Sequence, residues 1–333
     1  MKIIVDAMGG DNAPRETVLG AVKACEETGI KIILVGRSQE IEPLLNEKNS
    51  KNIEVVDAQE VITNEESPVT AIRRKKESSI VKGLGLLKEK KADAMVSAGS
   101  TGALMAGGLF ILGRFEGVDR PAIAVVIPSK KDPVLLLDIG ANSEVKPNNL
   151  VQFALMGSIY AREVLKRKDP RVGLLNIGVE EEKGNSVIKS AYSSLKSIKE
   201  INFAGNVEAR DFFNQNADVV ICDGFTGNIF LKTVEGFGMF IFDRLKQEIK
   251  KNITYSLGAL LLMPAMKAVK SSLDYSEYGG AMFLGLNGVL IKCHGSSDRK
   301  AIYNGIKAAK RYAEANINNK LKKSLEINTE GKI

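Results

Sequence analysis

Histidine and cysteine are scarce in this chain of 333 residues, with one His and three Cys, and there is no tryptophan. The three cysteines, Cys25, Cys222 and Cys293, lack metal-ligand spacing and are too few for a disulfide framework. Cys25 falls in a helical stretch and Cys222 at a strand end, so both read as small core residues. His294 directly follows Cys293; on a strand their side chains point to opposite faces, which disfavours a catalytic dyad. Equally absent are a GxxxxGK[ST] loop, a strand followed by GxGxxG, an HExxH helix and a GxSxG elbow. Those absences argue against a P-loop NTPase, the ordinary dinucleotide fold, a zincin and an α/β-hydrolase. No carboxylate cluster suggests a divalent metal, so neither metal nor cofactor is expected. Met1 and Lys2 lead straight into the apolar Ile3-Ile4-Val5, with no signal peptide, which makes the cytoplasm the expected compartment.

The net charge of +7 favours an acidic partner: a nucleic acid, an anionic membrane or an acidic protein. Nucleic acid is the weakest of the three, because no basic run is interleaved with stacking aromatics. Hydrophobic residues at 44% and charged residues at 26% make an ordinary globular balance, which excludes general disorder. Residues 94–113 carry no charge and approach the roughly 20 apolar residues that span a bilayer. Ser97, Ser100, Thr101 and several glycines interrupt them, so they read as a buried strand (92–98), a glycine turn and a buried helix.

Short apolar runs alternate with helix-length amphipathic ones, the pattern of a mainly parallel sheet covered on both faces. Strands are expected at 2–7, 31–35, 53–56, 93–98, 122–127, 134–138, 171–177 and 218–222, and long helices at 14–28, 69–90 and 148–168. No linker or repeat divides the chain, so residues 1–333 read as one α/β domain with a frayed polar tail from about 316. The apolar segment 253–273 has Pro264 in its middle, which predicts two short helices, a hairpin at about 250–275. It suits packing on the core or a second subunit, or a membrane-surface patch edged by lysines.

In an open parallel sheet, ligands sit beyond the carboxyl ends of the strands. Five glycine-rich polar loops follow strands here: 6–11, 97–102, 138–142, 223–228 and 294–297. Any one of them is an ordinary strand-to-helix turn; five converging strand ends predict an anion site. His294, before Gly295-Ser296-Ser297, reads equally as a structural histidine or a site group.

DAMGGDNAP at 6–14, SAGSTGA at 97–103, DIGAN at 138–142, NIGVEEEKGN at 176–185, GNVEARD at 205–211, DGFTGNIFLKTVEG at 223–236 and YGGAMFLGLNGVLIKCHGSSD at 278–298 occur in that order. With them the chain resembles the bacterial phosphate acyltransferases of phospholipid synthesis. The resemblance implies a three-layer α/β/α sandwich like the isocitrate and isopropylmalate dehydrogenases and the phosphotransacetylases, assembled as a homodimer. It implies transfer of a fatty-acyl group from acyl-carrier protein to orthophosphate, with the acyl phosphate passing to a membrane-bound glycerol-phosphate acyltransferase. Peripheral membrane association is implied as well. The alternatives are a coenzyme A-dependent phosphotransacetylase and a non-catalytic acyl-carrier-protein adaptor at the membrane.

Phosphate itself attacks a thioester in such a reaction, so the chain needs to hold phosphate and stabilise an oxyanion rather than supply a nucleophile. Ser100, Thr101, Gly102 and Thr226 are assigned to the phosphate cradle, with Lys183 for positive charge and Asn228 and His294 as donors. Lys183 reads alternatively as a solvated lysine behind Glu180-Glu181-Glu182. Asp6, Asp138 and Asp223 are expected to organise loops, since carboxylates facing an anion repel it. Residues 257–266 and 282–290 are candidates for an acyl groove, or else core or interface.

Overall fold

The computed structural model describes residues 1–45, 50–214, 216–272 and 275–330. Leu273, at the end of the expected apolar hairpin, and residues 331–333 of the expected tail lie outside them. Eleven strands form one sheet: β1 (Lys2–Asp6), β2 (Lys31–Gly36), β3 (Ile53–Asp57), β4 (Ala94–Ser97), β5 (Ala122–Ile127), β6 (Val134–Leu137), β7 (Arg171–Asn176), β8 (Asn202–Glu208), β9 (Val219–Ile221), β10 (Ala281–Leu284) and β11 (Val289–Lys292). The helices are α1 (Arg15–Thr28), α2 (Ser38–Ile41), α3 (Pro68–Arg74), α4 (Ser79–Lys88), α5 (Thr101–Gly107), α6 (Pro147–Glu163), α7 (Ser186–Ser197), α8 (Gly224–Lys250), α9 (Ile253–Ser272), α10 (Arg299–Glu314) and α11 (Ile317–Glu330).

Alternate side chains of each central strand enter two separate cores. Ile3, Val5, Ala124, Leu135 and Ile291 pack with α1, α6 and α10 on one face. Ile4, Met95, Ile123, Val125 and Leu136 pack with α4 and α5 on the other. The result is the expected three-layer α/β/α sandwich. All eight expected strands form, and residues 94–113 fold as β4, a turn and α5, which continues as a π-helical turn over Gly108–Leu112.

The sheet runs β3-β2-β1-β4-β11-β10-β5-β6-β9-β7-β8. Seven of its ten neighbouring pairs are parallel; β10 against β11 and β5, and β5 against β6, are antiparallel. The loops after β1, β4 and β11 therefore leave the sheet in one direction, and those after β6 and β9 in the other. The loops still meet, because the register is staggered. Lys292 stands opposite Ala281, Ala281 opposite Val125, and Val125 opposite Leu136, so β11 ends level with the penultimate residue of β6.

Three segments differ from expectation. The helix expected over 69–90 is broken after Arg74, because Ser78 caps a new helix by accepting the Val81 N–H at 3.4 Å. The described part of the apolar segment, 253–272, is not two short helices: α9 runs through Pro264 and contacts α8 across Lys251 and Asn252, with Ser256 Oγ donating to the Ile249 carbonyl at 3.0 Å. The frayed tail is instead α11, whose Ile317 and Leu321, one turn apart, are fully buried next to α6.

Candidate active site

A cavity of about 590 Å³ lies over β5, β10 and β11, walled by α5 on one side and α8 on the other. Val69, Met105, Leu109, Phe110, Ile123, Val125 and Leu231 make most of it apolar. Its polar lining brings together Thr101, Gly102, Asn228, Lys232, Glu235, Lys292 and His294. Four residues picked out from the sequence, Thr101, Gly102, Asn228 and His294, thus meet at one cavity although they come from three loops.

The loop after β6 is built on Asp138. Its buried carboxylate accepts the backbone N–H groups of Ile123 (3.0 Å), Gly140 (3.2 Å), Ala141 (3.0 Å) and Asn142 (2.7 Å), and the Asn142 side-chain amide at 2.9 Å. Burial raises its pKa, and these donors pull it back down. Gly227 at the start of α8 fits beside that loop only because it lacks a Cβ, which would stand 1.9 Å from the Asp138 carbonyl oxygen. Close packing there sets the Asn228 amide against Gly140. Asp223 caps α8, accepting the Thr226 N–H at 2.8 Å and its hydroxyl at 2.7 Å, so the Thr226 hydroxyl is engaged in the cap.

On the opposite loops, buried Asp6 accepts the Ser97 hydroxyl at 2.6 Å and the Met8 N–H at 3.2 Å, and burial raises its pKa. The Ser100 hydroxyl caps α5 and lines a neighbouring cavity of about 230 Å³ with Asp6 and Asp11. Gly10, at φ +101°, lets the first loop lie against the last: the Asp11 N–H donates to the Gly295 carbonyl at 2.8 Å. His294 Nδ1 lies 2.8 Å from the Ser296 hydroxyl and accepts the Ser296 N–H at 3.2 Å, an arrangement in which the neutral ring can carry its proton on Nε2. Burial, then the cations Lys232 and Lys292, hold its pKa below the ordinary value. Cys293 Sγ is buried with the other core, and burial pushes its thiol up to about 12.

Lys183 is exposed on the loop between β7 and α7 and does not line the cavity. The acyl-groove candidates fall elsewhere too. Met282, Phe283, Leu284 and Leu290 are buried core, and residues 257–266 belong to exposed α9. Reading the sequence missed Lys232, Glu235 and Lys292. For Lys292 a signal existed: a lone cation closing the apolar run Val289-Leu290-Ile291 at the end of a buried strand.

The family model described as "Fatty acid synthesis protein" matches residues 1–320. A phosphate acyltransferase from Alkaliphilus oremlandii is 54% identical over 316 residues, covering 94% of each chain. The chain belongs to the phosphate acyltransferase family. A second member of that name, from Clostridium tetani, is 51% identical over 328 residues and 98% of each chain. Among solved structures, a phosphotransacetylase from Streptococcus pyogenes superposes with a TM-score of 0.62 at 17% identity, over 95% of this chain and 94% of that one. A branched-chain phosphotransacylase from Enterococcus faecalis gives 0.60 at 14% identity, over 94% and 99%. These two likenesses establish the shared fold. As a phosphate acyltransferase the chain is an acyltransferase enzyme.

Proposed function

We propose that the chain transfers a fatty-acyl group from the thioester of acyl-carrier protein to orthophosphate, releasing acyl phosphate and free carrier thiol. The observation that carries this reading is one cavity in which an apolar wall (Met105, Leu109, Phe110) meets a polar end containing Thr101, Asn228 and His294. The wall suits an acyl chain, and the polar end suits phosphate and the thioester carbonyl.

In the reaction a hydrogen-phosphate oxygen attacks the carbonyl, the C–S bond breaks, and the phosphate proton ends on the departing thiolate. Holding phosphate beside the carbonyl is worth about 7–11 kcal/mol when well oriented. A donor aimed at the oxyanion adds about 3–4 kcal/mol. Asn228 and the Nε2–H of neutral His294 are the candidate donors, with Thr101 and Gly102 cradling phosphate. Ser100, Thr226, Asp6, Asp138 and Asp223 shape the loops. Lys183 is proposed to assist by charge: Lys183→Ala then lowers turnover at unchanged stability, and wild-type turnover removes it from the mechanism.

The exposed apolar residues of α8 and α9, among them Phe237, Phe240, Leu257, Leu261 and Leu262, support a homodimer contact and a membrane-surface face. No helix among the described residues is long and apolar enough to cross a membrane. A surface-bound enzyme would deliver its product to a membrane-bound glycerol-phosphate acyltransferase.

The test is thiol release from long-chain acyl-carrier protein with and without orthophosphate, the product trapped by hydroxylamine, with acyl-coenzyme A as parallel donor. Phosphate-dependent release from the carrier substrate supports the proposal. Release only from coenzyme A makes the chain a phosphotransacetylase, and no release from either leaves the adaptor reading.

A further inference from the structure

Lys292 is the last residue of β11, and its side chain lies on the cavity face of the sheet while Ile291 and Cys293 enter the opposite core. Its Nζ donates to the Ala98 carbonyl at 3.2 Å and to the Cys293 carbonyl. An ammonium has three donors, so one remains. The carboxylates that act on it, Asp6 and Asp11, do so without an ion-pair contact: Asp6 takes the Ser97 hydroxyl, and Glu235, further off on α8, takes the Lys232 ammonium at 2.8 Å. A cation withdrawn from water without a paired anion is unfavourable, and burial duly lowers its pKa. Two neutral carbonyls hold it at the polar end of the cavity, where Thr101, Asn228 and His294 also gather. That placement makes sense for a group whose counter-ion arrives with the ligand.

We propose that Lys292 binds the phosphate acceptor directly, its third N–H meeting a phosphate oxygen at the polar end of the cavity. The proposal rests on the acyl-to-phosphate reading and assigns the contact cation to Lys292, inside the cavity, while Lys183 stands outside it. Phosphate binding should then depend on Lys292, whereas binding of the acyl carrier should not.

Lys292→Met keeps an unbranched side chain one atom shorter and removes the charge; Lys292→Gln, which keeps a donor for the Ala98 carbonyl, is the second variant should the first not fold. The KM for orthophosphate is expected to rise by more than about tenfold, with the KM for acyl-carrier protein within about twofold of the parent. A KM for phosphate within about twofold of the parent would overturn the proposal, and so would a parallel rise in both constants. A second arm needs no acyl donor: orthophosphate should raise the Tm of the parent and leave that of Lys292→Met unmoved. Equal shifts in parent and Lys292→Met, or no shift in the parent, sink the assignment. Absence of thiol release by the parent would remove the reaction, while the thermal arm still decides whether Lys292 holds phosphate.

Discussion

Asp138 and His294 show how differently one side chain can serve this site. Asp138 serves from beneath, through the backbone groups it collects. Asp138→Ala strands the buried N–H groups of Ile123 and Asn142, each at about 1–3 kcal/mol. Urea denaturation should therefore show a loss of roughly 3 kcal/mol or more for this variant. His294 is the only histidine in the chain, so its ring proton resonance in untagged protein needs no assignment by mutation. Its titration midpoint should lie below the ordinary 6.5, and Lys232→Gln should move it up by removing one repelling cation. The sign follows for stability: with a folded value below the unfolded one, the His294 contribution is complete above pH 6.5 and is lost as pH falls through the lowered value. A midpoint at or above 6.5 would contradict the neutral-donor role. That Asp6, Asp138 and Asp223 organise loops could be argued from the sequence because carboxylates repel anions. That Lys292 belongs with them could not be settled, because a lysine at a strand end is equally well a solvated one.

At the scale of elements, local signals worked where the chain is self-sufficient and failed where a neighbour decides. The helix expected at 14–28 does end at Thr28, where Gly29 takes a left-handed conformation, since only the local backbone is involved. The order of the tail has no local signal: Ile317 and Leu321 stand in a polar run, and only the presence of α6 gives them somewhere to be buried. Leu321→Ala should lower stability by about 2–5 kcal/mol, measurable by thermal or urea unfolding. Proline costs an interior helix a backbone hydrogen bond, yet α9 continues through Pro264, so a local breaker signal did not end this element. Leu261 on that helix is 85% exposed in the single chain, so Leu261→Glu should leave the fold of the chain itself intact. The same variant should cut co-sedimentation with anionic vesicles if α9 lies on the membrane; unchanged sedimentation would argue against that face.

At the scale of the whole molecule, under the proposed function with acyl-carrier protein as donor, the charge of +7 predicts that the acidic carrier docks with electrostatic help. The KM for acyl-carrier protein should rise several-fold between about 20 and 200 mM salt, as screening shortens the reach of the attraction, with kcat little changed. A KM independent of salt would mean that docking is apolar. Periodicity determined that this chain forms buried strands between covering helices, because each strand carries its own apolar run and each loop its own glycines. Motif order carried the family, since those residues stand in the sequence whatever their distance in space. The meeting of the loops was decided by tertiary structure alone. Antiparallel β5 and β10 reverse half the sheet, and only the stagger of their register sets the end of β11 level with that of β6. Register depends on pairing between strands far apart in the chain, which no local pattern encodes, and with it came the cavity, the inclusion of Lys292 and the exclusion of Lys183.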